Sequence, residues 1–171
     1  HDIAREGRVL LSVEEVRTGI LCQGPEGERD LTWRAWSVLR ALSPDGKTVL
    51  LDEEWEAPGP DYDLYLRGVD GRAAVHLGQG SPADLSPDGA WVAAIQHRPE
   101  PHPVLLPTGI GEPRHLPSWG IQTYYGCLTF TPDGQALAFT GSEPGKGPRV
   151  YLQELQSQVL RPVTSEGQVP L

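Results

Sequence analysis

Short apolar segments alternate with turn residues along the whole chain. In the segment 62–67, apolar and polar side chains alternate with the period of a strand that has one buried face. No segment has a helical period long enough to predict a helix. The pattern therefore predicts an all-β protein. The predicted strands are 9–13, 17–22, 28–33, 36–42, 48–52, 62–67, 73–77, 83–85, 91–95, 104–106, 114–116, 123–130, 136–140, 149–155 and 159–163.

The turn sequence Pro-Asp-Gly occurs three times, each time between two apolar segments, and Arg5-Glu6-Gly7 is a degraded fourth copy. The glycines of the four copies lie at 7, 46, 89 and 134, in steps of 39, 43 and 45 residues. A period of about 40–45 residues is typical of a four-stranded propeller blade. The sequence thus predicts a β-propeller with four visible blades at 1–34, 35–78, 79–118 and 119–165, and 166–171 as the start of another.

The turn residues themselves have a structural explanation. Proline presets φ, aspartate bonds to its own turn, and glycine accepts a positive φ. We therefore do not expect Asp45, Asp88 and Asp133 to form a functional carboxylate set. If the first strand of each blade is innermost, these turns lie on one face of the propeller. The loops between second and third strands and the connections between blades then lie on the opposite face, at the channel mouth, where we expect binding.

The candidate binding residues come from those loops. The loop 52–63 carries six acids and two aromatic residues, which suit a cation or a basic peptide, although a solvated acidic loop is the alternative. The aromatic candidates have packing between blades as their alternative role. The full predicted set on the channel-mouth face is Trp36, Glu53, Glu54, Trp55, Asp61, Tyr62, His97, His102, Trp119, Tyr124 and Tyr125.

Catalytic and metal sites are not expected. The chain has no Gly-x-Ser-x-Gly elbow and no legible Ser-His-Asp triad, and the glycine-rich segment 141–147 lacks the spacing of a phosphate loop. His97 and His102 could reach zinc only with His115 from another strand, so we expect no metal, no cofactor and no enzymatic activity. Cys22 and Cys127 could form a disulfide only if the first and fourth repeats touch, so we expect buried free thiols.

Net charge and composition indicate which classes of binding partner are compatible with the chain. The chain has 171 residues, 20 Gly, 17 Pro and a net charge of −9. This charge disfavours nucleic acid and anionic membranes and favours a basic protein or peptide. No apolar run is long enough to insert directly into a membrane. The chain begins with His and contains no Met, so we expect a segment of a longer protein.

The repeated pattern Leu/Phe-Ser/Thr-Pro-Asp-Gly followed by an apolar strand resembles the WD-like β-propeller repeats of the TolB type. It is also similar to the propellers of prolyl-oligopeptidase-class peptidases. The segments 65–71 and 141–145 resemble propellers attached to bacterial serine/threonine kinases. The resemblance implies six to eight blades in all and a non-catalytic binding or scaffolding module.

The alternative function is an accessory propeller that supports or gates a peptidase or kinase domain of a longer protein. The resemblance also implies a bacterial protein in a periplasmic or extracytoplasmic compartment, and the sequence leaves a cytoplasmic one open. If the propeller is incomplete, its exposed blade edges favour self-association.

Overall fold

The described part of the chain is built of antiparallel strands. A computed structural model describes residues 17–24, 27–53 and 59–168 in full and the backbone of 2–3 and 9–10. These residues form no helix, so none of them belongs to a helix that could cross a membrane. The fold is all-β, as predicted.

Two hairpins come from the first repeat. They pair β1 (Asp2–Ile3) with β2 (Val9–Leu10), and β3 (Leu21–Gly24) with β4 (Gly27–Asp30). The hairpin of β3 and β4 is called here the first-repeat hairpin.

Three four-stranded sheets follow in chain order, and each is a meander of sequential strands. The second blade contains β5 (Ser37–Leu42), β6 (Thr48–Glu53), β7 (Asp63–Gly68) and β8 (Val75–Gln79). The third blade contains β9 (Ala83–Leu85), β10 (Trp91–Gln96), β11 (His102–Pro107) and β12 (Arg114–His115). The fourth blade contains β13 (Thr123–Phe130), β14 (Ala136–Ser142), β15 (Arg149–Glu154) and β16 (Leu160–Pro162). The predicted blade limits stay a prediction, and residues 169–171 lie outside the described residues.

The Pro-Asp-Gly turns have nearly identical geometry in the three blades. Each aspartate accepts a hydrogen bond of 3.0 Å from the backbone N–H two residues later and one of 2.6 Å from a preceding Ser or Thr hydroxyl. The glycines have φ of 69–70°. These bonds stabilise the charged carboxylate and lower the pKa of each aspartate. The structural role predicted for these aspartates agrees with this geometry.

The core lies between neighbouring sheets. Phe139 of the fourth blade packs between Tyr124 and Tyr151, and the same cluster includes Ile95 and Leu105 from the third blade. A second cluster joins the second and third blades, and a third joins the first-repeat hairpin to the second blade. Each blade thus buries its apolar surface against its sequence neighbours.

Polar contacts also cross between blades. The Asp84 carboxylate on β9 accepts hydrogen bonds from the Thr129 hydroxyl at 2.8 Å and the Phe130 N–H at 3.0 Å, both on β13. On the other side of the second blade, the Arg67 guanidinium donates to the Leu31 carbonyl at 2.9 Å and to the next carbonyl at 2.6 Å. These bonds fix how adjacent sheets sit against each other.

Candidate functional site

The loops between second and third strands lie beside the connections between blades. The Gly80 N–H donates to the Tyr62 carbonyl at 3.0 Å, and the Ser81 N–H donates to the Ile95 carbonyl at 2.8 Å. In the fourth blade, the Gln122 N–H donates to the Ser142 carbonyl at 2.9 Å. One face of the sheets therefore collects the segments in which the sequence predicts binding. We call this surface the loop face. Glu54 and Trp55 lie outside the described residues.

Asp61 and His97 join two neighbouring loops on this face. Asp61 Oδ1 accepts a hydrogen bond from the His97 N–H at 2.8 Å and lies 3.0 Å from His97 Nδ1. Because a carboxylate only accepts, Nδ1 carries the proton. Both side chains are largely buried. The structure thus brings two predicted site residues together as a link between the second and third blades.

Glu53 and Tyr124 are not on the exposed surface that the sequence predicts for them. Glu53 is 2% exposed, and its carboxylate accepts bonds from the Ser37 hydroxyl and from the Arg34 N–H at 3.2 Å. Tyr124 is 8% exposed and packs against Phe139 with ring centres 5.1 Å apart. Burial raises the pKa of Tyr124. We therefore correct the expectation that these two side chains are available for binding: both are buried beneath the loop face.

His102 pairs with His115, away from His97. His102 Nε2 lies 2.9 Å from His115 Nδ1, and His102 Nδ1 donates to the Glu100 carbonyl at 2.8 Å. In neutral His102, Nε2 therefore accepts from His115. The pair lies on the two outer strands of the third blade. The described residues hold no group of three or more His, Cys, Asp or Glu suited to a metal ion.

Trp119 is the most exposed large aromatic side chain among the described residues on the loop face, at 54%. It lies in a turn closed by a 3.0 Å bond from the Ile121 N–H to the Ser118 carbonyl. Trp119 has φ of 52° and Gly120 has φ of 83°, the signs of a type I′ turn. A bulky residue rarely adopts this left-handed conformation. Among the other aromatic candidates, Trp36 and Tyr62 are half-buried.

Comparison with known proteins identifies the architecture. No protein-family model and no curated protein matches the chain. A solved structure of TolB from Acinetobacter baumannii superposes with a TM-score of 0.71 at 20% identity, over 86% of this chain and 38% of that one. The β-propeller domain of the Trilobed protease from Pyrococcus furiosus superposes with a TM-score of 0.55 at 14% identity, over 78% of this chain and 43% of that one. The described sheets are part of a β-propeller.

A prolyl endopeptidase structure gives a further match, with a TM-score of 0.63 at 17% identity over 91% of this chain and 27% of that one. The TolB-like and peptidase-associated resemblance is thus confirmed at the level of fold. The chain spans less than half the length of each of these three proteins.

The innermost strands of the propeller expose an apolar wall. Leu39 and Tyr125 are 49% and 40% exposed, and both line a depression of about 710 Å³ together with Cys127. Cys127 is an exposed free thiol and Cys22 is a half-buried one, so the prediction of a buried thiol was wrong for Cys127. A β-bulge in β13 carries residues 125–127 out of the regular pairing. Tyr125, one of the predicted site residues, is exposed at this bulge.

Proposed function

We propose that this propeller module is a non-catalytic binding or scaffolding unit that recognises a protein or peptide through the loop face. The observation that carries the proposal is the exposure of Trp119 and Tyr125 around a connection that is fixed by the bond from the Gln122 N–H to the Ser142 carbonyl at 2.9 Å. Exposed aromatic side chains on a rigid support are typical anchors of protein interfaces. Because such side chains are already held in place, little conformational entropy is lost when a partner binds.

Charge favours a basic partner. The chain carries 23 acidic and 14 basic residues. Complementary charge steers association and suppresses wrong partners more than it adds affinity. We therefore propose that lysine- or arginine-rich segments bind in preference to acidic ones.

A peptide array with matched basic, neutral and acidic sequences tests this proposal. We expect the chain to retain basic peptides, and Trp119→Ala or Tyr125→Ala to lose most of that binding. Ile110→Ala is the matched control, because Ile110 is a fully exposed apolar residue in the loop between β11 and β12, on the opposite face. Equal retention by all three variants would exclude the loop face as the binding surface.

A second candidate function is that of an accessory propeller beside a peptidase or kinase domain. The matches to a prolyl endopeptidase and to a protease propeller domain favour the peptidase version. The full coding sequence discriminates between the two functions. A hydrolase or kinase domain beside the repeats would support the accessory role, and further repeats alone would count against it.

A further inference from the structure

A groove runs along the fourth blade from the loop face to its outer strand. Its volume is about 450 Å³. Trp119 from the connection between blades, Glu143 from the loop after β14, and Tyr151 from β15 all line it. The rest of the lining comes from the segment before and within β16: Ser157, Gln158, Val159, Leu160 and Pro162. The groove therefore combines the exposed indole of Trp119, a carboxylate and an apolar wall, while the Tyr151 side chain is only 2% exposed.

The backbone is strained at this groove. Trp119 and Gln158, with φ of 52° and 58°, are the two non-glycine residues with positive φ in the described part of the chain, and both line the groove. Such conformations cost free energy and persist where the surrounding structure enforces them, often at ligand sites. Their coincidence at one groove points to a binding role.

The groove already holds an ammonium group at its carboxylate. Glu143 Oε2 accepts a hydrogen bond from Lys146 Nζ at 2.6 Å, and Oε1 accepts one from the Tyr151 hydroxyl at 3.0 Å. These two bonds, chiefly the one from Lys146, hold the pKa of Glu143 below its ordinary value. Glu143 is therefore ionised at neutral pH. The nearby Arg149 guanidinium is balanced by Glu166 at 3.0 Å.

Lys146 is a weak competitor for this carboxylate. Its side chain is 47% exposed and reaches Glu143 from only three residues along the same loop. Exposed ion pairs of this kind contribute little, because water solvates both charges well. An incoming ammonium on a partner can replace it while Lys146 moves into solvent.

We propose that this groove binds a lysine side chain of a protein or peptide partner. The ammonium replaces that of Lys146 at Glu143, with Trp119 supplying the aromatic face for a cation–π contact and the buried Tyr151 holding the carboxylate through its hydroxyl. The methylene stem of the lysine packs along Leu160 and Pro162. This assignment rests on the proposed function, since it names one contact of the protein partner.

The test uses a blocked Gly-Ala-Lys-Ala-Gly peptide and its Nε-acetyl-lysine counterpart, followed by the NMR signal of the Trp119 indole N–H. We expect the lysine peptide to shift this signal with a saturable profile and the acetylated peptide to leave it unchanged. Glu143→Gln should weaken binding about fivefold, the upper range for an ion pair at a partly exposed carboxylate. Lys146→Ala should strengthen it, because the internal competitor is gone. Glu166→Gln, an equal change of charge beside the groove, should leave the affinity within about twofold.

Equal binding of both peptides, or unchanged affinity in both Glu143→Gln and Lys146→Ala, would overturn the assignment. The outcome is separable from that of the proposed function. If Tyr125→Ala abolishes retention on the array while the lysine peptide fails to shift the indole signal, the loop face stands and the groove assignment falls. If the lysine peptide binds in the groove but Tyr125→Ala does not change retention on the array, the groove assignment stands. The proposal that the loop face binds the array peptides then falls.

Discussion

Gly80 lies where the connection between the second and third blades passes close to β10. Its φ is 153°, and a Cβ built on it would lie 2.8 Å from Ala94 Cβ and 2.9 Å from the Ile95 carbonyl oxygen. Neither neighbour is the end of a flexible side chain, so relief requires movement of the backbone. Such movement strains the bonds from the Gly80 N–H to Tyr62 and from the Ser81 N–H to Ile95.

Gly80→Ala should therefore destabilise the chain strongly. An unfavourable φ costs about 1–3 kcal/mol, and overpacking adds about 1–3 kcal/mol, giving a loss of about 2–6 kcal/mol in the free energy of unfolding. Urea unfolding followed by tryptophan fluorescence measures this loss as a lower midpoint with the slope unchanged. At this chain length each kcal/mol corresponds to about 2–4 °C in Tm.

Gly109→Ala is the matched control for Gly80→Ala. Gly109 has no heavy atom within 4 Å of the position of a Cβ and has no positive φ. The same chemical change there should alter the free energy of unfolding by no more than about 0.5 kcal/mol. A loss below about 1 kcal/mol for Gly80→Ala, or equal losses for the two variants, would refute the argument from close approach.

Two further predictions concern stability. The turn aspartates have pKa values lowered from 3.8, so the stability they contribute is present above that pH and is lost as the pH falls through their lowered values. Urea midpoints should fall between about pH 5 and pH 2.5, and a constant midpoint would contradict this linkage. Phe139→Ala should cost about 3–5 kcal/mol, because the ring is 1% exposed and packs against two tyrosines. In the same unfolding assay Ile110→Ala should be near neutral, and an equal loss there would count against this view of the core.

The strands and turns were largely predictable from local signals. The three Pro-Asp-Gly turns each combine a fixed φ, a self-bonding carboxylate and a glycine with positive φ, and all three form as expected. The predicted strands 83–85 and 123–130 match β9 and β13. Most others differ by one or two residues at their ends, where pairing with the neighbouring strand sets the boundary.

The directions of the candidate side chains were less predictable. Sorting loops by face places a residue near a surface, but it does not say whether its side chain points out. Glu53 turns inward because the Ser37 hydroxyl at the start of β5 and the Arg34 N–H in the connection before it both donate to its carboxylate. The bulge between Tyr124 and Leu128 takes residues 125–127 out of regular pairing, and Tyr125 is exposed while Tyr124 and Leu128 are buried. Neither the hydrogen-bond donors to Glu53 nor the bulge in β13 can be recognised from the neighbouring sequence.

The pairing of His102 with His115 was hidden for a different reason. The register of β11 against β12, with Val104 opposite His115, decides which residues meet across the hairpin. The strained Trp119 also lacked a clear signal, since Gly120 alone marks the turn and tryptophan is a rare neighbour for it. Only the folded backbone reveals that this residue adopts a left-handed conformation.

Each junction between neighbouring sheets has its own set of hydrogen-bonded residues. Arg67 marks the junction of the first-repeat hairpin with the second blade, Asp61 with His97 marks the next, and Asp84 with Thr129 marks the last. These contacts occupy different positions and use different donors and acceptors. The repeats share one turn sequence, yet they are not interchangeable parts. A variant in which two repeats exchange places would keep the strands of each blade. The donors and acceptors at its junctions would then no longer meet.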